Sequence, residues 1–319
     1  MDIQSRKTVI IGAGHVGSHA GFALAAMGLC EEIVYIDVVE SKAKAQAADI
    51  SDAVVYLQRR TIVRAGDYSD AQDAALVIIA AGPLPDADRM VDRQETLHAT
   101  VDVLKDILPK LRESSFYGII LSISNPADVV AHYIQHWLKY PSYKVFSTST
   151  TLDSARLRRV LSEKLCMDQK SIAAYVLGEH GESQIVPWSV ATVAGKPLLE
   201  LMREQPEKYG KLNLDEIAQA TKSMGWNILL GKGSTEFGIG SAIAEVARAI
   251  FANENRILPV SVLLQGEYGQ NGVYASVPAV INNRGISEVI ELSLNEEEME
   301  AFAKSCASMK KHFERSLTM

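Results

Sequence analysis

The stretch that most limits the folds open to this chain is residues 7–17, KTVIIGAGHVG. An apolar, β-branched run reaches Gly12 without a polar break, and Gly14 and Gly17 complete G-x-G-x-x-G spacing. A strand with one wet face alternates polar and apolar residues. An unbroken run is a strand buried on both faces, which requires a parallel sheet covered by helices. In this context the glycines have separate uses. Gly12 allows a tight turn, Gly14 lets backbone approach a pyrophosphate, and Gly17 permits close packing of helix on strand. The segment that follows, HVGSHAGFALAAMGL, reads as a helix. Its first turn offers unpaired N–H groups and the positive end of a dipole to phosphate.

A second strand, EIVYID, ends on Asp37, twenty residues after Gly17. A carboxylate there accepts hydrogen bonds from a ribose diol and repels a 2′-phosphate, so NAD is expected rather than NADP. His15 and His19, in and beside the helix start, are read as incidental. Further on come a helix around 40–57, the strands TIVRAGD and AALVIIAAG, a long helix over roughly 90–112, and the strand YGIILSIS. This alternation predicts an α/β fold, with a Rossmann-type doubly wound parallel sheet as an NAD-binding domain over residues 1–148.

After about residue 150 the pattern changes. The helix LDSARLRRVLSEKL leads into AAYVLGEHG, an apolar, β-branched run that reads as a strand with His180 at its mouth, then a long helical stretch near 213–253. The segment GVYASVPAVINNRGISEVIEL alternates with period two around an Asn-Arg-Gly turn, which predicts antiparallel strands. In the final helix, Met299, Phe302, Cys306, Met309, Phe313 and Leu317 form an apolar stripe of ordinary packing. Residues 149–319 are thus expected to form a mixed α+β substrate and oligomerisation domain, joined to the first without a linker-like boundary.

With 319 residues, 47% of them apolar, the chain has material for two such domains. Thirty-two basic against 39 acidic side chains leave a charge of −7, which argues against nucleic acid as a partner. No apolar run approaches the 18 or so residues of a membrane span. The chain enters a strand almost at once without a signal-like apolar segment, so a cytoplasmic location is expected. Cys30, Cys166 and Cys306 are scattered and odd in number, as fits reduced thiols and no metal cluster.

One histidine is closely framed: His180 in LGEHGESQIVPWS. Alone it reads as a turn or core residue. Beside it stand SISNPAD at 122–128 and TTLDSARLR at 150–158. With IGAGHVG and GDYSDAQDAALVIIAAG, these segments resemble, in order and spacing, the L-lactate/malate dehydrogenase family from about residue 7 to the C-terminal helix. The resemblance implies NAD-dependent oxidation of 2-hydroxy acids and reduction of 2-keto acids. Such a reaction needs a group that takes and returns a proton near neutral pH, which suits imidazole. His180 matches that catalytic position and Asp153 matches the aspartate that orients it. Arg156 lies three residues on, so it shares a helix face with Asp153 and suits bidentate capture of a substrate carboxylate. Asn125 matches a position between substrate and nicotinamide, and Thr235 one that faces the substrate side chain.

The family also carries a lid after the fourth strand, with an arginine that polarises the substrate carbonyl. Here the lid reads AAGPLPDADRMVDRQETLHAT. Counting back from the helix VDVLKDILPKL selects Arg93 over Arg89. The position that separates lactate-type from malate-type members holds Pro85 or Asp86, neither the usual Gln nor the usual Arg. Three substrate readings follow in order: lactate, a larger apolar acid of hydroxyisocaproate type, and malate. A different class, the NAD-using glycosidases of similar architecture, requires a Cys and His metal set that is not evident. Arg158 matches an arginine used by relatives that bind fructose 1,6-bisphosphate between subunits. Ala173 stands where a histidine is expected, so that activation is not. The resemblance implies a homodimer or homotetramer.

Overall fold

The computed structural model describes residues 6–83 and 96–319. The first half runs β1 (Lys7–Ile11), α1 (His15–Ala26), β2 (Glu32–Ile36), α2 (Glu40–Val54), β3 (Ile62–Ala65), β4 (Leu76–Ile79), α3 (Leu97–Glu113), β5 (Ile119–Ser122), α4 (Ala127–Leu138) and β6 (Val145–Ser147). These strands lie in the order β3-β2-β1-β4-β5-β6, all parallel. The chain starts in the middle, winds outward through β2 and β3, then returns to β4 on the other side of β1. That reversal opens a crevice at the carboxyl ends of β1 and β4, where the adjoining loops diverge.

Every residue of β1, β4 and β5 is buried, as the unbroken apolar runs require. Successive side chains go to opposite faces. Val9, Ile11, Val77 and Ile79 pack with Leu104, Leu108 and Val130 of α3 and α4. Ile10 and Ile78 pack on the other face, with Leu24 of α1 in the same buried cluster. The pleat of a strand with both faces covered gives this division directly.

The second half comprises α5 (Thr151–Leu165), β7 (Ile172–Ala173), β8 (Thr192–Val193), β9 (Lys196–Pro197), α6 (Leu198–Glu204), α7 (Pro206–Tyr209), α8 (Leu214–Lys232), α9 (Phe237–Phe251), β10 (Arg256–Gln265), β11 (Asn271–Asn282), β12 (Gly285–Val289) and α10 (Glu296–Ser316). Strands β7–β9 make a small separate sheet. Strand β10 pairs antiparallel with β6 through Ser261 and Ser147, and β11 and β12 follow it. One nine-stranded sheet therefore crosses residue 148 without interruption. The hairpin between β11 and β12 turns through Asn283 and Arg284, with Gly285 at φ +108°.

Three local expectations need correction. The helical stretch 213–253 is two helices: Gly233, at φ +80°, caps α8 in the left-handed region, and α9 restarts at Phe237. Only Ile172–Ala173 of the segment before His180 is a strand. Beyond it Leu177 and Gly178 make single bridges, to Ile185 and Ser276, and Gly178 at φ +82° turns the chain out of extended geometry. In α10, Phe302, Cys306, Met309 and Phe313 are buried, whereas Leu317 is 45% exposed because the helix ends at Ser316. Among the described residues no helix is long and apolar enough to cross a membrane.

Candidate active site

The crevice is a cleft of about 890 Å³, within the range of sites that enclose a sizeable organic ligand. At one end the glycine turn shapes it. Gly12 donates its N–H to the Ile36 carbonyl at 2.8 Å and has φ +104°, and a Cβ there would lie 2.7 Å from the Ala80 oxygen. A Cβ on Gly17 would meet the Gly12 oxygen at 1.9 Å, so helix and turn touch only because residue 17 has no side chain. Gly14 differs: the nearest atom to its Cβ position is Lys42 Nζ at 3.9 Å, leaving open space beside the backbone. Gly12 and Gly14 line the cleft, and Gly17 supports them from behind.

Asp37 closes this end. Its two oxygens accept from the N–H groups of Ala13 at 2.8 Å and Val39 at 2.9 Å, which ties the end of β2 to the glycine turn. Each carboxylate oxygen keeps a lone pair for a hydroxyl. An open cradle at Gly14, the N-terminus of α1 and a carboxylate beyond it fit the phosphates and ribose of NAD.

At the other end α5 brings Asp153 and Arg156 to one face. Arg156 Nη1 donates to Asp153 Oδ1 at 2.9 Å, and both side chains are over 90% buried. The other oxygen, Asp153 Oδ2, is hydrogen-bonded to His180 Nδ1. A carboxylate on Nδ1 fixes the ring and leaves Nε2 for a ligand, and His180 lines the cleft. Arg156 also lines it, and a guanidinium bonded to one carboxylate retains further donors. The i,i+3 ion pair and a ligand-facing arginine therefore coexist.

The segment carrying His180 is pinned from several directions. Thr150 Oγ1 donates to the Val176 carbonyl at 2.6 Å, and Val176 N–H donates to Ser154 Oγ at 2.9 Å. Ser183 donates to Glu179 Oε2 through its backbone at 3.0 Å and its hydroxyl at 2.6 Å. The His180 N–H donates to Asp128 Oδ2 at 2.8 Å, while Ser149 Oγ donates to Asp128 Oδ1 at 2.8 Å. Sequence reasoning missed Asp128, whose only signal is its place two residues after Pro126 in SNPAD.

Burial pushes the Asp128 carboxyl up to about 6 despite these donors. A carboxyl raised by folding contributes stability that is fully present below its ordinary value of 3.8 and lost as pH rises through about 6. Asp128→Asn keeps an acceptor for His180 and removes the charge. It is expected to erase that component, so stability of the variant should fall less than wild type between about pH 4 and about pH 7. Denaturant melts across this range check it; parallel curves for the two proteins would contradict it.

Asn125 also lines the cleft, and its Oδ1 is buried without a partner among the described residues. An orphaned buried acceptor at this place fits the amide of a nicotinamide. Thr235 lies in the break between α8 and α9, not inside a helix, and faces the cleft with Trp226, Leu229 and Ile239. The apolar members of this wall carried no recognisable motif. Arg93, Arg89, Pro85 and Asp86 lie outside the described residues. The structure thus brings His180, Arg156, Asn125, Thr235, Gly12, Gly14 and Asp37 to one cleft, with Asp153 behind His180 and Arg156 and Gly17 beneath the turn.

Comparison with known proteins agrees in kind. The lactate/malate dehydrogenase NAD-binding domain profile matches residues 6–147, and that family's alpha/beta C-terminal domain profile matches residues 150–319. L-lactate dehydrogenase 3 of Bacillus thuringiensis subsp. konkukian is 42% identical over 305 residues, covering 96% of each chain. The minor L-lactate dehydrogenase of Enterococcus mundtii, in its ligand-bound crystal form, superposes with a TM-score of 0.93 at 33% identity, over 98% of each chain. Cryptosporidium parvum malate dehydrogenase superposes at 0.91 with 26% identity, over 99% of this chain and 100% of its own.

Proposed function

Because the chain belongs to the lactate/malate dehydrogenase family of NAD-dependent oxidoreductases, we propose that it interconverts pyruvate and L-lactate. The observation that carries this reading is the continuous chain Arg156–Asp153–His180 at the head of a dinucleotide-sized cleft. NAD, when bound, supplies the hydride acceptor for the alcohol and, in reduced form, the hydride donor for the ketone. Gly12 and Gly14 would hold its phosphates, Asp37 its ribose, and Asn125 its carboxamide.

During reduction Arg156 holds the substrate carboxylate, and His180 delivers a proton from Nε2 to the keto oxygen. In oxidation the same nitrogen takes that proton from the hydroxyl. Asp153 stabilises the imidazolium by opposite charge and keeps the ring oriented. Arg93 supplies a further cation to the developing oxyanion. Arg93→Ala is therefore expected to lower kcat about a hundredfold or more, with Arg89→Ala within a few-fold of wild type. Steady-state assays of both variants check this; the reverse ranking would transfer the role to Arg89.

Lactate is favoured over malate by the wall around Thr235, which carries Trp226, Leu229 and Ile239. A second carboxylate set against these apolar side chains would lose hydration. Pro85 or Asp86 keeps a larger apolar acid as the second reading, and the likeness to a malate dehydrogenase keeps oxaloacetate as the third. NADH consumption with pyruvate, oxaloacetate and 2-ketoisocaproate side by side tests the ranking. Pyruvate should give the highest kcat/KM; preference for either rival would replace the lactate assignment. The same family reading supports a cytoplasmic homodimer or homotetramer, which light scattering on the purified protein tests.

A further inference from the structure

His15, the first residue of α1, lines the cleft beside Gly14 and is 59% exposed at its side chain. Its Nδ1 is held by Glu236 Oε1 at 2.9 Å, and Glu236 adjoins Thr235 in the break between α8 and α9. The Glu236 carboxylate is only 11% exposed, and among the described residues three groups able to carry positive charge surround it. These are His15, Lys232, which is ion-paired with it, and His19, whose Nε2 lies 4.0 Å from its Oε2. The joint is tightly built: a Cβ on Gly240 of α9 would lie 3.0 Å from the His19 carbonyl oxygen of α1.

We propose that His15 is a ligand for the cofactor's diphosphate, carried by Glu236, and that this pair links the phosphate turn to the segment bearing Thr235. The inference rests on the reading of the cleft as an NAD site. With Nδ1 engaged by a carboxylate, Nε2 is the ring nitrogen left for a ligand. A neutral imidazole that donates from Nδ1 shows a lone pair at Nε2 and repels a phosphate oxygen. The imidazolium donates to both anions at once. Nε2 of His15 is therefore placed to donate to a diphosphate oxygen while Nδ1 stays on Glu236. Among the described charged groups, Glu236 and Lys232 face His15 from the α8 side, His19 from the same helix, and Lys42 of α2 from beside Gly14.

Isothermal titration of ADP-ribose and of adenosine tests this on the full chain. His15→Gln should weaken ADP-ribose about fivefold, leaving adenosine affinity unchanged as a control for fold. Glu236→Gln should produce a smaller loss, and the double variant should be no worse than His15→Gln alone. Unchanged ADP-ribose affinity in His15→Gln would overturn the proposal. Additive losses in the double variant would overturn the link through Glu236. Failure of the wild-type protein to bind ADP-ribose at all would overturn the NAD reading, and this inference with it.

Discussion

Replacing His180 with Gln is expected to lower kcat for pyruvate reduction by about a thousandfold while leaving NADH affinity within about twofold. The glutamine amide still reaches towards Asp153 and fills similar volume, but it has no proton to give at neutral pH. The cofactor end of the cleft, built by Gly12, Gly14 and Asp37, is untouched by the exchange. Loss of turnover with binding retained is thus the signature of a proton carrier and not of a damaged fold. Steady-state kinetics with NADH fluorescence titration separate the two. Turnover within tenfold of wild type would remove His180 from the chemistry.

The second large effect is expected at Arg156. Arg156→Lys keeps the charge and loses the planar fork, so one of two donated hydrogen bonds to the substrate carboxylate disappears. Charged hydrogen bonds are worth about 1.5–3 kcal/mol each, which corresponds to a rise in KM for pyruvate of about ten- to a hundredfold. Arg156 is also bonded to Asp153 at 2.9 Å, so a smaller fall in kcat accompanies it through the orientation of His180. Binding of oxamate, a non-reacting carboxylate analogue, isolates the first effect. Unchanged oxamate affinity would reduce Arg156 to a structural partner of Asp153.

Local constraints explain what was legible beforehand. The glycine turn announces itself because its needs are local: a Cβ on Gly17 would fall 1.9 Å from the Gly12 oxygen, and one on Gly14 would fill the open cradle beside the backbone. Asp153 and Arg156 share a face through helix geometry alone, and the strand runs of the first half reflect burial on both sides. What escaped depends on contacts between distant segments. Asp128 meets the His180 N–H across 52 positions, and no period or spacing in the sequence encodes that meeting. The continuity of the sheet rests on the pairing of Ser147 with Ser261, equally remote in sequence. His15 read as incidental for the same reason, since its partner Glu236 sits on another helix boundary. The break at Gly233 was passed over because the residues on both sides keep helical patterning.

The most direct measurement is the fate of a label: pyruvate reduced with NADH deuterated at the transferring position of its nicotinamide ring, the product read by NMR and by chiral chromatography. L-lactate carrying deuterium at C2 is the expected product, formed by wild type and nearly absent with His180→Gln. Unlabelled lactate, the D enantiomer, or equal labelled product from His180→Gln would contradict hydride transfer in a cleft governed by the His180–Asp153 pair.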